Sequence, residues 1–251
     1  MSAAEGSNGP LLAVSGLGKR FGGFVALDSI DLTIATGERV GLIGPNGSGK
    51  STLVNCLCGT LKNETGSVTF DGRPLDGLIA HQRTRLGLAR SFQLPKPFRS
   101  LNLIDNIRVP LLYSVNARHG AHLNDVQVQA RCRELLQEVA LADKARRLPR
   151  DLTQVEMRKL ELARAVATEP RLLFADEAMA GLSPSEVEEI ITVLLRLNQQ
   201  GITIVLIEHI MRAVMSFSNR LVVLVAGQKI ADGLPQEVVR NPEVERAYLG
   251  E

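Results

Sequence analysis

The sequence predicts an α/β fold: a mixed-sheet core, a small antiparallel β subdomain and an inserted helical subdomain. Three observations carry this expectation. Short apolar runs at residues 40–43, 171–175 and 202–207 each end in polar or glycine-rich segments, as buried parallel strands do. Several alternating segments crowd into residues 11–43 ahead of the first helical pattern, which suits a separate antiparallel sheet. Over residues 101–168 the apolar spacing turns helical, which places a helical insertion at about 94–168.

In chain order, the polar, glycine-rich residues 1–10 read as a flexible tail, and residues 11–251 as one domain. Strand-like segments follow at 11–14 and 30–34, with Phe21-Gly22-Gly23-Phe24 read as a loop. Phe21 has two readings: a ring stacked on a base, or a cover for the sheet edge. Val40, Leu42 and Ile43 then end a buried strand, and Leu53, Val54 and Leu57 open a helical pattern. Between them stands Gly44-Pro45-Asn46-Gly47-Ser48-Gly49-Lys50-Ser51, a G-x-x-x-x-G-K-[ST] motif in its strand-to-helix context. This is a P-loop, so the core is of the P-loop NTPase type. Glycines let successive N–H groups turn inward on phosphate oxygens, and the positive end of the next helix faces the same anion. The expected nucleoside-triphosphate contacts run from Gly44 through Thr52. Lys50 is expected on the β- and γ-phosphates and Ser51 on Mg²⁺.

A hairpin is expected around Val68 and Phe70 with Asp71-Gly72 as its turn, then a strand at 88–92 that ends at Gln93 before Pro95 and Pro97 break regular structure. Helices are expected over 101–109, 126–141 and 153–168, with polar linkers at 116–122 and 143–151. The strand at 171–175 ends in Asp176 and Glu177. Ligands of parallel sheets gather beyond the carboxyl ends of their strands. Asp176 would therefore orient Mg²⁺ through its water shell, and Glu177 would polarise the attacking water. The alternative is a solvated Asp-Glu turn. Ser183-Pro184-Ser185-Glu186 opens a helix with a hydroxyl cap, Pro at the first position and a capping-box Glu, running to about residue 201. The strand at 202–207 ends in Glu208 and His209, and His209 is placed either on the γ-phosphate or in a structural role. A hairpin over 221–231 and short helices at 235–239 and 244–249 close the chain.

Composition excludes several classes. The chain has 251 residues with 45% hydrophobic and 22% charged content, enough for a substantial core. A net charge of +2 provides no basic stripe for nucleic acid. No apolar run approaches the ~18 residues of a membrane span, and the start is not a signal peptide. A soluble, cytosolic chain is the expectation. The three cysteines form no second pair for a zinc site and read as small buried thiols.

With these pieces in order, the sequence resembles the ATP-binding-cassette (ABC) ATPases from residue 11 to the end. The resemblance makes Phe21 an adenine-stacking aromatic, Gln93 a glutamine that approaches Mg²⁺ and the attacking water, and Asp176 and Glu177 the metal and catalytic carboxylates. It makes residues 180–183 a D-loop and His209 the switch histidine. Lys19-Arg20-Phe21-Gly22-Gly23, Ser91-Phe92-Gln93, Ala163-Arg164-Ala165, Ile207-Glu208-His209 and Ala247-Tyr248-Leu249-Gly250 look most like the ATPase subunits of branched-chain amino acid importers. This implies an ATPase using ATP and Mg²⁺, paired with a second ABC ATPase subunit as homodimer or heterodimer. It also implies integral membrane permease subunits as partners and a cytoplasmic position, peripheral on the inner face of the cell membrane. No nucleic-acid partner is expected.

Three departures qualify the resemblance. The family's L-S-G-G-Q signature falls on Leu152-Thr153-Gln154-Val155-Glu156. Thr153 and Glu156 instead form a capping box that opens the helix carrying Arg158 and Lys159. That helix N-terminus, at Thr153, still aims at phosphate, but a β-branched Val155 and a Glu beside an anion point to slow or altered hydrolysis. Ala178 stands where the family has Pro, and Ser183 where it has the D-loop aspartate. A soluble ABC ATPase acting mechanically on nucleic acid or the ribosome is the alternative; it would favour paired cassettes, a long coiled coil or a basic patch. A GTPase or small-molecule kinase lacks an N-K-x-D motif here.

Overall fold

The computed structural model describes residues 9–91, 95–118 and 122–249. An antiparallel hairpin, β1 (Leu12–Phe21) and β2 (Phe24–Ile34), precedes the central strand β3 (Arg39–Ile43) and helix α1 (Lys50–Leu57). β4 (Thr65–Phe70) and β5 (Arg73–Pro74) return to the hairpin; α2 (Ala80–Leu86) leads to β6 (Leu88–Ser91). Helices α3 (Leu103–Ser114), α4 (Asp125–Glu138) and α5 (Gln154–Val166) follow as a block. The core resumes with β7 (Leu172–Asp176), α6 (Pro184–Gln199), β8 (Thr203–Ile207), α7 (Met211–Phe217), β9 (Arg220–Val225) and β10 (Gln228–Gly233), and ends with α8 (Pro235–Val238) and α9 (Pro242–Leu249).

The main sheet runs β10-β9-β3-β8-β7-β6, with β10 antiparallel to β9 and the other pairings parallel, so it is mixed as expected. The second sheet, β2-β1-β4-β5, is antiparallel. Strand alternation splits the core between two layers. Leu172, Phe174, Val205 and Ile207 face the small sheet and α1; Leu173, Ala175, Ile204 and Leu206 face the helical side, where α3, α4, α5 and α6 pack. Both faces of β7 and β8 are buried, which is why these strands read as near-continuous apolar runs.

Several boundaries differ from the sequence reading. β1 and β2 are strands of 10 and 11 residues, not short ones, and Phe21 does not lie on a loop: it ends β1, paired with Phe24 across a Gly22-Gly23 turn. α3 does not stop at residue 109 but continues through Pro110 to Ser114, losing the one N–H that proline lacks. α2 and α7 escaped the reading. α2 is held by a charge rather than an apolar stripe, since buried Arg83 donates to the carbonyls of Cys56, Leu57, Leu75 and Leu78. α7 has seven residues, too few to show a period. The capping boxes at Thr153/Glu156 and Ser183/Glu186 are formed as expected. Cys56, Cys58 and Cys132 are free and buried, and burial pushes the Cys58 thiol up to about 12. Among the described residues no helix is long and apolar enough to cross a membrane.

Candidate nucleotide site

The P-loop connects β3 to α1 at the carboxyl edge of the parallel strands. Its glycines meet two separate demands. Gly44 has φ +151° and a Cβ there would lie 2.1 Å from the Leu224 carbonyl oxygen; Gly49 has φ +101° and a Cβ there would lie 2.7 Å from that of Ala26. Neither conformation nor space admits a side chain. The loop is also held from outside, since Gly227 in the β9–β10 turn donates to Ser48 O at 3.0 Å and accepts from Asp28 N at 2.9 Å. The Tyr248 hydroxyl of α9 reaches the Gly44 backbone, while burial raises its pKa.

Lys50 bends back over the loop it follows. Its Nζ donates to Gly44 O at 2.8 Å, Pro45 O at 3.0 Å and Ser48 Oγ at 3.4 Å. Burial lowers the Lys50 pKa, and the charges of Glu177 and Asp176 act in the opposite sense. The lysine therefore stands between neutral carbonyls it can leave and two carboxylates whose field it feels. Pro45, Asn46, Gly47, Ser51 and Thr52 complete the stretch, with Asn46, Gly47 and Ser51 exposed, so the rim is open to a ligand.

Asp176 is the buried last residue of β7, and Glu177 follows it with φ +46°. A left-handed conformation costs a non-glycine residue about 1–2 kcal/mol. Here it is fixed by the Glu177 N–H donating to Ile207 O at 2.9 Å. Strain of this kind gathers where a side chain must be aimed. His209 lies just past β8 with its side chain 65% exposed, and its Nδ1 stands 3.9 Å from Glu208 Oε2, beyond hydrogen-bond range. Phe21 is 48% exposed. Its strand pair, Phe24, is two residues along β2 from Ala26, which touches the P-loop at Gly49. Gln93 lies outside the described residues.

Thr153 caps α5, and its partner Glu156 is not a bare charge. Burial acts to raise the Glu156 pKa, but the Lys144 ammonium at 2.5 Å and the Thr153 amide hold the carboxyl below its usual value. α5 also grips the segment after Glu177: Gln154 Nε2 donates to Ala180 O at 3.4 Å and Arg158 Nη2 to the same oxygen at 3.2 Å. From the other side, buried Glu208 Oε1 accepts from Met179 N at 2.8 Å.

Sequence reasoning missed Arg90 and Asn55. Arg90 Nη2 and Nε donate to Asp176 Oδ2 at 2.5 and 3.2 Å, and Arg90 Nη1 to Asn55 Oδ1 at 2.5 Å. Removing one partner of a buried ion pair costs ~3–5 kcal/mol, so Asp176 depends on this guanidinium. The available signal was an arginine inside the four-residue strand β6 between buried neighbours, a charge that demands a partner.

A P-loop whose strand is separated by one strand from another that ends in Asp176, with Glu177 next along the chain, defines a nucleoside-triphosphatase. Residues 27–180 match the ABC transporter family, and residues 228–251 match the branched-chain amino acid ATP-binding cassette transporter family. The chain belongs to the ABC transporter family, and as such it binds and hydrolyses ATP. It is 40% identical over 252 residues to the high-affinity branched-chain amino acid transport ATP-binding protein LivG of Salmonella typhimurium, covering 96% of this chain and 98% of that protein. It is 36% identical over 251 residues to BraF of Pseudomonas aeruginosa, of the same description, with the same coverage of 96% and 98%. Among solved structures it resembles a nucleotide-free ATP-binding cassette from an ABC transporter, with TM-score 0.85, 29% identity and coverage of 96% and 100%. It also resembles a dimeric ATP-binding cassette in a post-hydrolysis state bound to ADP and Pi, with TM-score 0.78, 25% identity and coverage of 89% and 98%.

Proposed function

We propose that this chain, acting from residue 11 onward as one ATPase domain, is the subunit that powers import of branched-chain or related amino acids through separate integral membrane subunits. The end-to-end likeness to LivG, over 96% of this chain and 98% of the relative, carries the reading. It favours transport over a soluble, mechanical role. The domain would work from the cytoplasmic face of the membrane, paired with a second ATPase subunit.

Within the site, Gly44 through Thr52 hold the phosphates and Lys50 moves from its loop carbonyls onto the β- and γ-phosphates. Phe21 stacks on the adenine, and the N-terminus of α5 at Thr153 faces phosphate. Mg²⁺ favours hard oxygen donors and retains several waters. The Ser51 hydroxyl and the Asp176 carboxylate suit it, because both Arg90 contacts go to Oδ2 and leave Oδ1 outside that pair. When bound, the ion neutralises phosphate charge; Gln93 is assigned to it with Ser51 and Asp176. Glu177 accepts the proton of the attacking water, and His209 orients that water and the γ-phosphate.

The test is reconstitution. Co-expressed with the integral membrane subunits of a branched-chain amino acid importer from its own source, the chain should co-purify with them and drive ATP-dependent uptake of leucine, isoleucine or valine into vesicles. No association with those membrane subunits, with ATPase activity instead stimulated by RNA or ribosomes, sinks the reading.

A further inference from the structure

Asp176 is engaged by one oxygen. Both Arg90 contacts, from Nη2 and Nε, fall on Oδ2, and the same guanidinium donates through Nη1 to Asn55 on α1, the helix that Lys50 opens. One residue of β6 thus ties the end of β7 to the P-loop helix. Lys50 meanwhile donates to the carbonyls of Gly44 and Pro45 and to Ser48 Oγ. The Asp176 charge acts on the Lys50 ammonium, and an ion pair in a partly buried site outweighs a carbonyl hydrogen bond, so an Asp176 stripped of its guanidinium would draw this ammonium off the loop.

We propose that Arg90 is a positioning residue that supplies Asp176 with a fixed counter-charge, anchored through Asn55, and so keeps Lys50 on the P-loop carbonyls from which it can transfer to an incoming phosphate. Arg90 touches neither nucleotide nor water in this role. Its planar fork suits it: Nε and Nη2 close on the carboxylate while Nη1 remains for the amide of Asn55, an arrangement that a lysine ammonium cannot reproduce.

The experiment is calorimetry of ATP binding in EDTA, which reads Lys50 and the loop without metal or turnover. Arg90→Gln should weaken metal-free ATP binding about tenfold, and adding Asp176→Asn to it should restore affinity to within about threefold of the parent. A merely structural Arg90 would lower the melting temperature with no such rescue. Unchanged affinity in Arg90→Gln, or a loss that Asp176→Asn does not restore, overturns the proposal. If Arg90→Gln does not fold, Arg90→Met, which also lacks the charge, is judged by the same two criteria. The inference rests on the assignment of Lys50 to phosphate, so Lys50→Ala is measured alongside. Normal binding in Lys50→Ala sinks that assignment itself; a failed rescue in a protein that still needs Lys50 sinks only the role of Arg90.

Discussion

Glu208 and Met179, 29 residues apart, are joined by a hydrogen bond of 2.8 Å from the Met179 amide to a carboxylate that is only 1% exposed. The second oxygen, Oε2, is buried with no hydrogen-bond partner among the described residues. Burial raises the Glu208 pKa, and the Met179 amide and His209 offset only part of the shift. The folded protein therefore holds this proton more tightly than the unfolded chain does. Stability is highest below the ordinary carboxyl value and falls as pH rises through the window up to the raised one.

Glu208→Gln keeps an acceptor for Met179 and removes the buried charge. Its melting temperature should exceed the parent's at neutral pH, with the advantage fading towards about pH 4, where the parent is itself protonated. For a chain of this size each ~1 kcal/mol corresponds to about 2–4 °C. Scanning calorimetry across pH checks this, and a gain that is the same at both pH values refutes the linkage.

Lys50→Ala removes the ammonium expected on the β- and γ-phosphates. ATP affinity should fall about 100-fold or more, in line with the ~3 kcal/mol typical of losing one partner of a buried charge pair. Titration calorimetry is the measurement. Unchanged binding would remove the P-loop assignment.

Glu177→Gln keeps the size and left-handed backbone position of the residue while removing its basicity. Turnover should drop by roughly 10²–10⁴-fold with ATP binding retained. In the paired arrangement proposed above, blocked hydrolysis should also give an ATP-dependent shift to twice the mass in size-exclusion chromatography. Near-normal turnover would pass the base role to Asp176 or His209.

Gln154→Gly, Val155→Gly and Glu156→Gln together restore the glycines and glutamine of the family signature and should raise ATPase turnover. The structure adds a cost. The triple variant gives up the Gln154 contact to Ala180 O and the Glu156 pair with Lys144, and each glycine in a helix costs roughly 0.5–1 kcal/mol. Faster turnover with a lower melting temperature is the expected pair of results. A variant that is no faster would mean that this chain reaches phosphate by another geometry.

Features whose physics is local can be read from the order of the residues. The P-loop is contiguous, and its glycines and lysine are dictated by backbone shape and phosphate charge within eight residues, so Gly44 to Ser51 was legible without a fold. The capping boxes at Thr153 and Ser183 close over three residues, and β7 announces itself as an apolar run ending in Asp176 and Glu177. Tertiary structure alone decided what those groups touch. Arg90 meets Asp176 across 86 residues, Gln154 meets Ala180 across 26, and Lys144 pairs with the Glu156 that the sequence shows only as a capping-box residue. It also placed Phe21 at the end of a ten-residue strand rather than on a loop, because the β1–β2 register is set by pairing across the hairpin. Contacts between distant segments depend on which strands become neighbours in the sheet. Neither residue of such a pair carries a periodicity or spacing that names the other.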